Sequence, residues 1–150
     1  MLNDDMMRML QLYREGYNCS QILMTLGLET MGKENPDLVK AIAGLGGGIG
    51  FTGKTCGALT GGACLLSLYA GRGMPDGKND DFFSMAMIAD LTDWFEETIG
   101  KAHGSINCEV IIGDDLENKM PTPACATIIG DTYNKIKEIL IANGVDPTDG

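Results

Sequence analysis

The sequence predicts an all-α fold, a single-domain helical bundle of about six to seven helices over residues 1–150. Three observations carry this expectation. Apolar residues recur at three- and four-residue spacing, capping residues and glycines punctuate them, and no alternating apolar–polar run long enough for a strand in a sheet is present.

The elements follow in order. Leu2, Met6, Met9, Leu10 and Tyr13 mark a first helix that stops at Gly16. A second runs from Cys19 through Ile22, Leu23 and Leu26 toward Met31, with Gly32 as its stop. Asn35-Pro36 supplies the cap and first position of a third helix through Leu38, Val39, Ile42 and Leu45. After the glycine segment 46–53, a fourth spans 56–69 and ends in Gly71-Arg72-Gly73-Met74-Pro75-Asp76-Gly77, a turn signal. Asn79 or Asp80 caps a fifth helix carrying Phe82, Phe83, Met87, Leu91, Trp94 and Phe95, and Gly100 closes it. Their helical spacing makes these aromatics core, or part of a helix-on-helix homodimer face. A short sixth piece covers 108–113, where Val110, Ile111 and Ile112 also fit a short strand. The last helix starts at Pro123 and runs through Ile128, Tyr133, Ile136, Ile139 and Leu140 to Gly144. No repeat or linker divides the chain.

The 11 Lys and Arg face 21 Asp and Glu, for a formal charge of −10. This balance argues against nucleic acid and anionic membrane surfaces as partners. It is compatible with a basic redox partner protein. The start Met1-Leu2-Asn3-Asp4-Asp5 is acidic and unlike a signal peptide. The longest apolar stretch, 63–70, is too short for membrane insertion. The expected location is cytoplasmic, where thiols stay reduced, and an odd count of five cysteines fits a disulfide framework poorly.

Four of those five cysteines sit where a helix is expected to begin. Asn18-Cys19, Thr55-Cys56 and Asn107-Cys108 each place a capping residue before the thiol, and Thr122-Pro123 precedes Cys125. Unpaired N–H groups and a partial positive charge at a helix start favour thiolate over thiol. This arrangement points to redox or metal chemistry. Cys64, among Ala63, Leu65 and Leu66, reads as a small core residue. The glycines Gly57, Gly61 and Gly62 need a reason, since each costs roughly 1 kcal/mol in a helix. Either they allow a close helix crossing or they make room for a group held by Cys56.

Gly48-Ile49-Gly50-Phe51-Thr52-Gly53-Lys54-Thr55 satisfies the phosphate-loop pattern. The context rejects it, because the preceding segment reads as helix rather than as a strand of a parallel sheet. His103, the one histidine, falls in a loop and is expected to be exposed. Asp90, Asp93, Glu96 and Glu97, and likewise Asp114, Asp115 and Glu117, read as solvated faces.

At Cys56-Gly57-Ala58-Leu59-Thr60-Gly61 the chain resembles the C-GCAxxG-C-C family of redox-active proteins. On that resemblance the early cysteine is Cys19, in Gly16-Tyr17-Asn18-Cys19-Ser20-Gln21. The motif cysteine is Cys56, and the downstream pair are Cys108 and Cys125. Gly46-Gly47-Gly48-Ile49-Gly50 matches the family's glycine segment, and Cys64 falls outside the pattern. The resemblance implies a redox role without a substrate or mechanism.

Two chemical readings use the same four thiols. In the first, Cys19, Cys56, Cys108 and Cys125 ligate an iron–sulfur cluster, an anionic centre that helix starts would stabilise. Their separations of 37, 52 and 17 residues are unlike ferredoxin spacing, so separate helices must assemble the site. In the second, the thiols act as dithiol/disulfide couples, with Cys56 and Cys19 as redox-active candidates. Cys56 should then be the most reactive, because the glycines around it leave its sulfur open. The cluster is preferred, since four similar environments suit four ligands. A zinc-stabilised or metal-free helical interaction module is the non-redox alternative. No acid/base constellation identifies an enzyme.

Overall fold

The first helix, α1 (Asp4–Arg14), starts where the Asn3 side chain accepts the Met6 N–H at 2.8 Å. This computed structural model describes residues 3–75, 81–116 and 122–149. Leu2, Asp76, Gly77, the candidate caps Asn79 and Asp80, Glu117 and Pro121 lie outside the described residues. In α2 (Cys19–Thr30), Asn18 and Gln21 form a reciprocal capping box. Asn35 caps α3 (Pro36–Ile42), which tightens into a 3₁₀ turn at Ala43–Leu45. Helix α4 spans Gly57–Ala70, and α5 spans Asp81–Phe95. The short α7 (Cys108–Ile111) precedes a 3₁₀ turn at Gly113–Leu116, and α8 (Pro123–Ala142) is capped by Thr122.

The expected stops at Gly16, Gly32 and Gly144 all have positive φ. Gly100 does not stop the fifth helix. The backbone widens into a π turn over Glu96–Gly100 and continues into α6 (Lys101–His103). The left-handed residue that ends it is Gly104, at φ 87°. Gly100 keeps right-handed helical geometry, so nothing terminates the helix there.

The core lies where α2, α4, α5 and α8 meet. Leu23, Leu65, Leu91, Phe95, Ile129 and Ile136 are buried there, each contributing about 1.5–3 kcal/mol through burial. At Gly61, α4 packs closely against α2. A Cβ there would stand 2.8 Å from the Ser20 Cα, so the crossing requires glycine. The buried Ser20 hydroxyl donates to the Ile42 carbonyl at 2.8 Å, which ties α3 to the same crossing.

Two core expectations are corrected. Cys64 is exposed, because Gly57, Gly61, Gly62, Leu65 and Leu66 form the packed face of α4 and Cys64 lies off that stripe. Phe95 is fully buried, but Phe82 is 84 % exposed and Phe83 is also exposed, both off the face of α5 on which Ser84, Met87 and Leu91 are buried, so neither belongs to the core. Among the described residues the only strand-like pairing is an isolated antiparallel bridge between Thr55 and Asn107. No described helix is long and apolar enough to cross a membrane.

Candidate functional site

Four helix starts converge on one cavity of about 450 Å³, and Cys19, Cys56, Cys108 and Cys125 all line it. Cys19 is the first residue of α2, and Cys108 is the first of α7. Cys125 occupies the third position of α8, where its N–H donates to the Thr122 hydroxyl at 3.2 Å. That hydroxyl lies 3.4 Å from the Cys125 sulfur as a donor. Cys56 departs from expectation: it occupies the cap position of α4 itself, and Thr55 does not cap. Thr55 is instead held extended by the bridge to Asn107.

That bridge places two of the thiols. The Cys56 N–H donates to the Ile106 carbonyl at 2.9 Å, and the Cys108 N–H donates to the Lys54 carbonyl at 2.7 Å. Glu109 N–H adds a third bond, to the Gly53 carbonyl at 3.0 Å. Two short segments distant in sequence thus lock each other through their backbones, and each delivers a cysteine. Cys56 and Cys108 are the buried pair, whereas Cys19 and Cys125 are partly exposed.

The glycine segment supports the remaining wall. Residues 47–51 all have positive φ, including Ile49 (67°) and Phe51 (59°), so the chain winds left-handed there. L-residues resist that conformation. The Gly47 N–H points to the Cys19 sulfur, and Phe51 lines the cavity. A Cβ on Gly47 would collide with the Phe51 ring at 2.3 Å. Gly57 has a comparable role: a Cβ there would lie 2.4 Å from the Cys19 sulfur. Of the two reasons for glycine in α4, Gly61 exemplifies the close crossing and Gly57 makes room for a neighbouring thiol. The phosphate-loop pattern follows a 3₁₀ turn rather than a strand, as its rejection required.

Electrostatics reverse one expectation. Burial pushes the Cys56 thiol up to about 12 and the Cys108 thiol to about 11. It also raises Cys19, although the Gly47 N–H works against it. The Ala58 N–H favours the Cys56 thiolate, as a helix start should, but desolvation and the nearby Cys19 outweigh it. Cys56 is therefore neither open nor thiolate-prone in the metal-free protein. Every pair among the four thiols is near enough for one thiolate to oppose the next. Neither Cys64 nor His103 reaches the cavity, and no carboxylate lines it among the described residues.

Sequence reasoning missed several cavity residues. Tyr13 and Ile128 read as ordinary core positions, and nothing local distinguished Ile112. All five cysteines are free thiols. Among the described residues, no three His, Cys, Asp or Glu side chains are gathered as a single metal ion would require.

Fold and cavity define a class: a small all-α protein in which helix starts bring four cysteines to one pocket. Residues 17–139 match the family described as "Putative redox-active protein (C_GCAxxG_C_C)", and the chain belongs to that family. Neither a curated protein nor a solved structure matches the chain.

Proposed function

We propose that the protein is a redox protein whose Cys19, Cys56, Cys108 and Cys125 act as one centre, ligating an iron–sulfur cluster. The observation that carries this reading is the shared cavity: four thiols from four helix starts, each close to the others, with no competing carboxylate among the described residues. Burial and the neighbouring thiols keep bare Cys19, Cys56 and Cys108 protonated. A cationic iron core would offset both effects and let the thiols ionise on binding. The donor set is the usual one for such clusters, which would supply one-electron transfer when bound. The residues around it would hold the sulfurs in place, donate N–H groups from Gly47 and Ala58, and exclude water behind Phe51. A single zinc ion is less well served. It needs donors about 2.3 Å from one point, and no such group of three is present among the described residues.

A dithiol reading has one specific support. The paired backbones around Thr55 and Asn107 hold Cys56 and Cys108 side by side in the cavity. Metal and acid-labile sulfide content, with a visible spectrum on protein purified without oxygen, separates the readings. Matching iron and sulfide with visible absorption is expected. Metal-free protein whose thiols pair reversibly on mild oxidation would replace the cluster with a dithiol couple. Zinc without colour would make the site structural.

A further inference from the structure

The cavity is larger than its four sulfurs require, and its outer wall has a different chemistry. At about 450 Å³ it falls within the range of small-molecule sites. Away from the cysteines its walls are apolar, with Phe51, Ile112 and Ile128 among them, and Tyr13 and Arg14 stand at the end of α1. Arg14 is exposed and makes no ion pair among the described residues. Arg8 pairs with Glu29 at 2.7 Å, Lys137 with Asp5 at 2.7 Å and Lys135 with Glu138 at 3.4 Å, all away from the cavity, and Arg14 is the described cation that lines it. The Tyr13 hydroxyl likewise has no hydrogen-bond partner among the described residues, and it lies near Cys125. In a chain with ten net negative charges, the described residues thus line this cavity with one unpaired cation and no carboxylate.

We propose that the cavity binds a small organic monoanion, an apolar or aromatic body bearing one carboxylate. The carboxylate pairs with the Arg14 guanidinium, whose planar fork matches it, with the Tyr13 hydroxyl as a second donor. The body packs against Phe51, Ile112 and Ile128, in the cavity that the four thiols also line. One guanidinium and one hydroxyl suit a monoanion better than a phosphate dianion, which would need more donors. This inference deepens the redox reading, since it places the ligand against the same four cysteines.

The test is calorimetric titration of the full chain, purified without oxygen, with cinnamate and with its neutral counterpart cinnamamide. Cinnamate should bind about tenfold more tightly than the amide, the effect of one hydrogen-bonded charge. Arg14→Gln should reduce cinnamate to the affinity of the amide, while Phe82→Ser, on the exposed end of α5, should change neither. Equal affinities, no heat from either compound, or cinnamate binding that survives Arg14→Gln would overturn the proposal. So would an Arg14→Gln protein whose only change is in the visible spectrum or potential, which would assign the arginine to the cluster. Iron, sulfide and thiol pairing are measured without the acid. A failed redox reading therefore leaves an Arg14-dependent cinnamate site standing, and the reverse also holds.

Discussion

Helix α4 carries two cysteines eight positions apart, and they lead different lives. Cys56 caps the helix, is buried in the cavity and lies beside three other thiols. Cys64, two turns on, faces solvent with no thiol near it. Residue type is the same and the helix is the same. What differs is whether the backbone delivers the sulfur to a place where other helix starts arrive. Convergence of helix starts, not the presence of a thiol in an apolar stretch, defines the site.

Replacing each of the two cysteines in turn should separate them most sharply. Cys56→Ser should abolish bound iron and sulfide while far-ultraviolet dichroism stays helical. Cys64→Ser should leave metal content intact and stability within about 0.5 kcal/mol of the parent. Equal losses from both variants would mean that the cysteines matter only through the fold.

The next effect contrasts the two glycine roles. Gly57→Ala drives a methyl into the Cys19 sulfur, and Gly61→Ala drives one into the Ser20 backbone. Gly61→Ala should therefore lose about 1–3 kcal/mol in urea melts, as forced overpacking does. Gly57→Ala should lose the centre, with a metal-to-protein ratio reduced by more than its stability loss explains. If the two variants fall together on both measures, Gly57 serves packing alone.

Much of this was legible before the fold was known. Caps such as Asn18, Asn35 and Thr122 and stops such as Gly16 and Gly144 act locally, so spacing alone located most helices. The same caps mark Cys19 and Cys125, whereas Thr55 does not cap the helix after Cys56 and the Asn107 side chain makes no cap bond before Cys108. The exposure of Cys64 was not legible, because Ala63, Leu65 and Leu66 surround it with apolar letters. Its direction is set by which stripe of α4 meets α2 and α5. The Thr55–Asn107 bridge pairs segments far apart in sequence, and no local pattern announces such a pairing. Thiol acidity is hidden from the sequence for a related reason. A helix start is a local feature that lowers a thiol pKa, whereas desolvation is a tertiary one, and here it is larger.

That last difference gives a smaller, pH-dependent effect in the metal-free protein. With folded pKa values near 12 for Cys56 and 11 for Cys108, the native state retains protons that the unfolded chain releases above about pH 8.5. Their contribution is full below that pH and is lost as pH rises toward the folded values. Urea melts of the metal-free protein should show stability falling between pH 9 and 11 by an amount on the order of 1–3 kcal/mol. Cys56→Ala should flatten the fall, while Cys64→Ala should flatten it less, since Cys64 lies in the open. A pH-independent parent would mean that these thiols are solvated.

The smallest effect concerns what the site costs the fold. Ile49 has φ 67° and is half exposed, a conformation that disfavours β-branched side chains and that no surrounding core repays. It sits in the left-handed turn that carries Gly47 to the Cys19 sulfur, so the strain lies beside the centre rather than in the helical core. Ile49→Gly should relieve that strain. Part of the gain is cancelled, because glycine makes the unfolded chain more mobile. The expected net change is a stabilisation of about 0.5–1 kcal/mol, with metal content unaltered. A destabilised variant would show that Ile49 makes a contact worth more than its strain. A stabilised variant that binds less iron would show that the rigidity of the turn, and not its sequence alone, holds Gly47 on the sulfur.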